Sequence, residues 1–463
     1  MTNVDQWGQK TAVKMSIIIG MMNWKLALIL IVALVVGGLI IGWQLAPHIE
    51  DIDPAKKSLS GRQPLKITFS RPMNPDSLES NFVLDPSIRG KFSWTEMFDE
   101  VTFTPDKPWP SGKTISVQIS SGARSKIRLP LLRNRSWTIQ VSPILLAYLW
   151  PADSKSTLYL VNPDTGDNQT LTAEDSGILD YTVTPDGLAI IYSVLNENGE
   201  SNIVSLDLVS GNTTPAIECS LGLCRSPRVS FDGSLLAYEY ISREPGEHPG
   251  IRIYDLEDNI HLTIGDPEEY LDNPLWSPEG WLSYYNHTRQ MYVFWNPETD
   301  QELTLENETG GDGTWSADGR YFVCTEILFI GETLAPRHLL LYDVTDETLV
   351  DLSQGNFLED LNPSFAPQGL SLAFSRKSLD PAEWSPGRQL WLLDLEDNQT
   401  KALTATVDFH HTSFAWHPDG NQLAYVRYNQ AKLSDPPEIW LINRDGSGNL
   451  RLIINAFAPS WIP

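Results

Sequence analysis

Apolar positions follow one another along this chain in three different rhythms. Between residues 26 and 43 they are unbroken, and widening that window to 24–46 admits only Lys25 and Gln44 as charged or strongly polar side chains. From about residue 64 to 141 they alternate with polar residues in short runs: Leu65, Ile67 and Phe69; Phe92 and Trp94; Val101 and Phe103; Ile115, Val117 and Ile119. Beyond residue 143 they come in brief bursts such as Leu235-Leu236-Ala237-Tyr238 and Leu423-Ala424-Tyr425, each just after a polar, glycine-containing turn. A continuous apolar run reads as a buried or spanning helix, and period-two alternation as a strand with one face covered. The pattern predicts one helix followed by an all-β chain.

The helix is long enough to cross a bilayer, since about 20 residues at 1.5 Å each span a hydrocarbon core of ~30 Å. Trp24 and Trp43 stand at its ends, where indoles favour the membrane interface. Lys10, Lys14 and Lys25 precede or open it against a single Asp5, while Glu50, Asp51 and Asp53 follow. That asymmetry predicts a cytoplasmic tail over 1–23, a transmembrane helix over 24–46, and extracytoplasmic domains beyond it on a single-pass protein of the cell membrane. A cleaved signal peptide is the alternative. The run exceeds the usual h-region of about 7–15 residues, and neither an A-x-A-like site nor a nearby cysteine follows it. Met21 and Met22 offer an alternative start that would leave almost no tail. Residues 47–60, with Pro47, Pro54 and mixed charge, read as a linker.

The alternating region, 61–142, predicts a small β-sandwich. Its residues also carry a resemblance: Ile67-Thr68-Phe69-Ser70-Arg71-Pro72-Met73-Asn74, Asn81-Phe82-Val83-Leu84, Val101-Thr102-Phe103-Thr104-Pro105 and the closing Trp137-Thr138-Ile139. This resembles the bacterial Ig-like domain of surface-layer proteins. The resemblance implies a spacer or adhesion module without catalytic residues.

The third region, 143–463, repeats. Six turns recur, at Thr184-Pro185-Asp186-Gly187, Ser230-Phe231-Asp232-Gly233, Ser277-Pro278-Glu279-Gly280, Ser316-Ala317-Asp318-Gly319, Ala366-Pro367-Gln368-Gly369 and His417-Pro418-Asp419-Gly420, spaced by 46, 47, 39, 50 and 51 residues. A period in this range marks a propeller or solenoid. A second landmark, an apolar strand ending at Asn162, Asp207, Asp255, Asn296, Asp343, Asp394 or Asn443, occurs seven times. The count is reconciled if the first unit, opening at Leu145-Leu146-Ala147-Tyr148, takes its missing inner strand from Pro459-Ser460-Trp461-Ile462-Pro463. Such closure removes two exposed sheet edges, and the expectation is a seven-bladed β-propeller. The units resemble the WD40-like PD40 repeats of TolB-type propellers. That family is six-bladed, so its partner site does not transfer by position.

Charge bears on partners. With 33 Lys and Arg against 59 Asp and Glu the net charge is −26, which argues against nucleic-acid binding. The imbalance is confined to the repeats: residues 1–46 carry +2, residues 47–142 carry +4 and residues 143–463 carry −32. Arg124, Lys126, Arg128, Arg133 and Arg135 crowd twelve residues expected to form a hairpin. A solvated basic edge, docking on the acidic repeats, and attraction to anionic lipid headgroups are the three readings of this edge.

Candidate chemistry is sparse. No G-x-S-x-G, P-loop, H-E-x-x-H or Rossmann fingerprint occurs, so no catalytic residue, cofactor or metal is assigned. His410-His411, with Asp408 and His417, is the one histidine cluster, and adjacent strand residues face opposite ways. The turn carboxylates Asp186, Asp232, Glu279, Asp318 and Asp419 read as turn builders. Val183, Val229, Trp276, Trp315, Phe365, Trp416 and Trp461, three places earlier by symmetry, read as core between blades. Six places before the turn stand Asp180, Ser226, Asn273, Asp312, Asn362 and Ser413, with Ala458 in the closing strand. With Asp272, Asp360 and His411 they define a candidate polar mouth, or else cap backbone where inner strands begin. Cys219 and Cys224 are a candidate disulfide on condition that the turn between them brings their Cα atoms within about 7 Å, and Cys324 is expected as a buried thiol.

The function expected from this reading is a membrane-anchored extracytoplasmic scaffold, not an enzyme, whose propeller binds an envelope protein. A carbohydrate- or small-ligand sensor working through the polar mouth is the alternative, and a hydrolase or lyase the third reading.

Overall fold

The computed structural model describes residues 24, 28–37, 44–54, 58–173, 177–329 and 335–463. These fall into two compact units, one comprising Met1–Leu59, Pro64–Lys107 and Lys113–Val141, the other Ser60–Gln63, Pro108–Gly112 and Ser142–Pro463. Helix is assigned at 24, 28–37 and 44–45, and no helix among the described residues is long and apolar enough to cross a membrane. Residues 1–23, 25–27 and 38–43, which hold the rest of the predicted tail and span, lie outside the described residues.

The first unit has strands β1 (Ile49–Asp53), β2 (Leu65–Phe69), β3 (Phe82–Asp85), β4 (Gly90–Trp94), β5 (Glu100–Pro105), β6 (Thr114–Ile119) and β7 (Arg135–Gln140), with a short helix α1 (Pro75–Glu79). They form two antiparallel sheets, ordered β1-β2-β5-β4 and β3-β6-β7. The alternating apolar residues take the covered faces: Leu65, Ile67, Phe69, Val101, Phe103, Ile115, Val117 and Ile119 are all buried. Phe82, Phe92 and Phe103 bring their ring centroids within 5.1–5.6 Å of one another between the sheets.

One expectation is corrected here. Residues 47–60 are not simply a linker, because β1 pairs with β2 through Ile52↔Ile67 and Asp53↔Lys66. Ile-Glu-Asp-Ile-Asp buries little side chain, so its strand rests on the backbone ladder and left no apolar signature. The segment of the five basic residues turns back on itself, with Arg124 bridged antiparallel to Pro130 and the Ser125 N–H donating to Leu129 O at 2.9 Å. These five occupy the connection between β6 and β7, and only Arg135 lies on a strand. Helix α1 is too short to show an apolar period; Asn74 caps it by accepting the Ser77 N–H at 2.9 Å, and Pro75 opens its first turn.

Among the described residues the second unit contains seven four-stranded antiparallel sheets. The first strands of sheets two to seven are Ile178–Val183, Gly222–Val229, Leu271–Trp276, Thr314–Trp315, Leu358–Phe365 and Phe409–Trp416. In the first sheet that place is taken by Phe457–Ile462, with Trp461 opposite Leu146 and Ile462 opposite Leu145. Each sheet packs its apolar face on the next. Leu149 and Leu160 meet Tyr181 and Ile190 between sheets one and two, and Leu146, Tyr148 and Trp461 meet Ala424, Val426 and Ile439 between one and seven. Five further clusters occupy the intervening junctions.

The tryptophans at the ends of the first strands share one device. The indole N–H of Trp276 donates to Arg228 O at 3.1 Å, that of Trp315 to Ser283 Oγ at 3.0 Å, and that of Trp416 to Ser364 O at 3.0 Å. A large apolar surface is buried between sheets while its one polar atom is satisfied by the preceding sheet.

Candidate functional site

The candidate mouth residues lie part-way along the first strands, as Ser226 does within Gly222–Val229, Asn362 within Leu358–Phe365 and Ser413 within Phe409–Trp416. Their residue types have a backbone cause. In six sheets the ladder between first and second strands slips, at Ile178/Asp180 in sheet two and, in a second form, at Arg225/Arg228, Asp272/Leu275, Leu361/Ser364, Thr412/Ala415 and Phe457/Ser460. Within each of the last five one residue is left-handed: Ser226 at φ 50°, Asn273 at 55°, Asn362 at 54°, Ser413 at 52° and Ala458 at 50°. Asn and Asp tolerate this conformation better than larger or β-branched residues. In four of these slips the next residue is Pro227, Pro274, Pro363 or Pro459, which has no N–H to lose from an interrupted ladder.

The polar side chains are largely engaged with one another. Asp180 accepts the Tyr181 N–H at 2.8 Å and faces the Arg228 guanidinium at 3.4 Å, and the Tyr181 hydroxyl donates to Ala458 O at 2.6 Å. Asn362 donates to Asp312 at 2.7 Å and accepts from Ser375 at 3.1 Å. Asn273 donates its N–H to Glu239 at 3.0 Å and its side-chain amide to Asp272, whose other oxygen meets the His287 ring at 2.7 Å. Asn273, Asp312 and Ser413 remain exposed.

Two members assigned to the mouth are buried and held by neighbouring residues. Asp360 is fully buried and held by the Arg376 guanidinium through bonds of 2.7 and 2.6 Å. His411 is fully buried with Nδ1 at 2.8 Å from Arg388 O. Burial pushes its pKa down to about 4, so it is a neutral donor to that carbonyl near pH 7. His410 is likewise pushed down to about 4, by burial first and then by the Arg388 charge. Among the described residues no group of three His, Cys, Asp or Glu side chains could hold a metal ion. The turn aspartates are committed locally: Asp186 accepts from Thr184 at 2.6 Å and Asp232 from Ser230 at 2.5 Å, while Gly187 and Gly233 take φ of 71° and 84°.

Cys219 and Cys224 are bonded, with Cα atoms 6.0 Å apart, which ties the last strand of sheet two (Thr213–Cys219) to the first strand of sheet three. Cys324 is free and buried, and burial raises its thiol pKa well above the usual range.

Sequence reasoning missed the surroundings of the mouth. The connections leaving the second strands at the same end are long in sheets five to seven, covering 328–336, 379–388 and 430–437. With the segments that lead into the first strands they carry exposed Phe329, Phe357, Trp384, Val407 and Leu433. The signal was available in the lengthened later repeats.

Residues 44–138 match the bacterial Ig-like domain family. The match begins ahead of β1, in keeping with that strand's place in the sheet. Among solved structures the chain is similar to TolB from Acinetobacter baumannii, at 16% identity over 83% of each chain with a TM-score of 0.44. It is similar to a prolyl endopeptidase at 11% identity over 81% of this chain and 50% of the other, with a TM-score of 0.50. The β-propeller domain of the Trilobed protease from Pyrococcus furiosus is also similar, at 13% identity over 57% of this chain and 81% of that one, with a TM-score of 0.45. The chain's structural neighbours are thus TolB and other β-propeller proteins, with an Ig-like domain ahead of the propeller. The likeness to a prolyl endopeptidase is one of fold alone, and a fold by itself does not decide for or against catalysis.

Proposed function

We propose that this protein is a membrane-anchored extracytoplasmic scaffold, and that its seven sheets are the blades of a closed propeller which grips a protein partner at the mouth end. The observation carrying this reading is the set of exposed apolar side chains over sheets five to seven. Phe329, Phe357, Trp384, Val407 and Leu433 all project from connections at one end of the ring, and a grouping of this kind marks a protein-binding surface. Aliphatic as well as aromatic residues are present, which favours a protein over a glycan. Four of the six polar residues of the mouth, Ser226, Asn273, Asn362 and Ser413, sit at left-handed positions of a slipped ladder, which moves the weight of this reading outward to the loops.

Anchoring is supported by the helical stretch 28–37, where Leu28, Ile29, Leu30, Ile31, Val32, Leu34, Val35 and Val36 are exposed around the helix. A helix that is apolar all round needs an apolar surrounding. A Cys219–Cys224 bond fits an oxidising compartment.

The test is site-specific photo-crosslinking in intact cell envelopes, with the photoreactive residue placed at Trp384, at Phe357 or at Val209 on the opposite end. A single discrete protein adduct from the first two positions and none from the third is expected. Adducts of equal yield from all three, or none from any, would defeat the proposal.

A further inference from the structure

We infer that the β6–β7 connection of the Ig-like unit is a lipid-docking face, which lays its cations on anionic phospholipid headgroups of the bilayer crossed by the apolar N-terminal segment. The inference rests on the anchoring proposed above and adds a second, independent contact with the same membrane.

Three observations carry it. The first is position. Gln44, Ala46, Pro47 and His48 line one side of a cleft of about 440 Å³ whose other side is Leu131, Leu132, Arg133 and Arg135. His48 is fixed at the end of β2, its carbonyl accepting the Ser70 N–H at 2.9 Å. The connection therefore lies beside the point where the chain leaves the apolar run that ends at residue 43, and headgroups there fall within a Debye length of about 8 Å at physiological salt.

The second observation is charge. Arg124, Lys126, Arg128, Arg133 and Arg135 are exposed, no acidic residue lies between 120 and 135, and none of the five forms an ion pair among the described residues. Lys126 sits over the Phe98 ring, 3.3 Å from its centroid, and stays at the surface. A role in guarding a sheet edge explains only Arg135, because the other four lie beyond the end of β7.

The third is the apolar component. Ile127 and Leu132 project from the same connection, 63% and 52% exposed, while Leu131 and Ala123 beneath them are buried. The backbone that presents them is braced: Leu131 N–H donates to Ala123 O at 2.9 Å, Lys126 N–H to Pro72 O at 2.9 Å, and Ser121 N–H to Asn134 Oδ1 at 2.8 Å. Cations flanking aliphatic tips on a fixed loop are what an interfacial anchor requires: charges at phosphate level and methyl groups just below it.

The experiment uses the full chain in lipid nanodiscs of phosphatidylcholine alone, or of three parts phosphatidylcholine to one of phosphatidylglycerol. An environment-sensitive fluorophore is attached at I127C, or at S87C in the β3–β4 turn at the other end of the unit, and quenched by a headgroup nitroxide lipid. Strong quenching at position 127 in the anionic nanodiscs, weaker quenching in the neutral ones and little at position 87 are expected. Replacing the four arginines and Lys126 together by Gln should abolish the difference between lipids, and replacing the arginines by Lys should retain it. A chain that is not retained by either nanodisc sinks the anchoring and this inference with it. A retained chain whose position 127 is unquenched, or equally quenched in both lipids, overturns the inference alone. Shielding of position 127 from solvent in neutral nanodiscs and in detergent alike would assign the loop to contact with the rest of the chain, and also overturns it.

Discussion

The indole N–H of Trp461 donates to the carbonyl oxygen of Ala415 at 3.0 Å, which joins the first strand of sheet one to the first strand of sheet seven across 46 residues of sequence. The ring of Trp461 is buried beside Leu146 and Val426, and His417 meets it edge-on at 4.7 Å. Two energies are therefore separable. Trp461→Ala removes both packing and bond and should destabilise the chain by about 3–5 kcal/mol, whereas Trp461→Phe keeps much of the packing and leaves Ala415 O without its donor, at about 1–3 kcal/mol. Denaturant unfolding of the two variants measures the difference. If Trp461→Ala unfolds at the wild-type midpoint, this junction does not hold sheets one and seven together.

The left-handed residues at the mouth lead to a prediction about side-chain identity. At Asn273, φ is 55°, a conformation that costs a β-branched residue of the order of 1–3 kcal/mol and glycine almost nothing. Asn273→Gly should therefore be close to neutral in thermal stability and Asn273→Val clearly destabilising. The same ordering is expected at Ser413, whose φ is 52°. A glycine variant that keeps its stability but loses partner crosslinking at Trp384 would return the polar side chains to a binding role.

These bulges show where reading the sequence succeeds and where it stops. The repeat landmarks were legible because each turn needs a glycine and each junction a bulky side chain, requirements imposed by local geometry and repeated in every unit. Trp276, Trp416 and Trp461 could thus be assigned to the junctions in advance. The small polar residues six places earlier were equally periodic, but periodicity does not say whether the backbone or a ligand imposes it. Asp360 and His411 resembled mouth residues only through their neighbours in sequence. Each stands two places before a left-handed residue, where regular alternation would give it the same facing, but the ladder slips between them, and Asp360 is held by Arg376 of the neighbouring strand while His411 meets Arg388 in the connection 379–388. Strand β1 escaped notice because a five-residue edge strand supported by main-chain bonds has no apolar period to read.

The two histidines predict a pH dependence with a definite sign. Both His410 and His411 have pKa values pushed from 6.5 down to about 4 by burial, so the unfolded chain binds protons that the folded chain refuses. The stability this leaves intact is fully present above pH 6.5 and is lost as pH falls from there toward 4, by an amount on the order of 3 kcal/mol per histidine. Carboxylates whose pKa is lowered, such as Asp343 beside Arg320 and Asp445 beside Ser447, contribute in the same direction only at lower pH, as it falls through their own range. His411→Gln, which can still donate toward Arg388 O, should flatten the stability profile between pH 6.5 and 4.5. An unchanged profile in that window would mean that the imidazole is protonated in the folded protein.

The last prediction separates a structural carboxylate from a binding one. Asp360 has no exposed surface, and both of its oxygens are taken by Arg376, whose guanidinium carbon lies 4.9 Å from the Phe374 ring and 5.3 Å from that of Trp391. Removing one partner strands the other charge in the interior, so Asp360→Asn should cost about 3–5 kcal/mol. Replacing the pair, as Asp360→Leu with Arg376→Met, removes both desolvation penalties and fills a similar volume, so the double variant should recover much of that loss. A ligand-binding role for Asp360 predicts the opposite ordering in crosslinking, because the double variant would then be stable and unable to bind. Measuring midpoints and the Trp384 adduct on the same three proteins decides between them: restored stability with restored adduct assigns Asp360 to the fold, and restored stability without the adduct assigns it to the site.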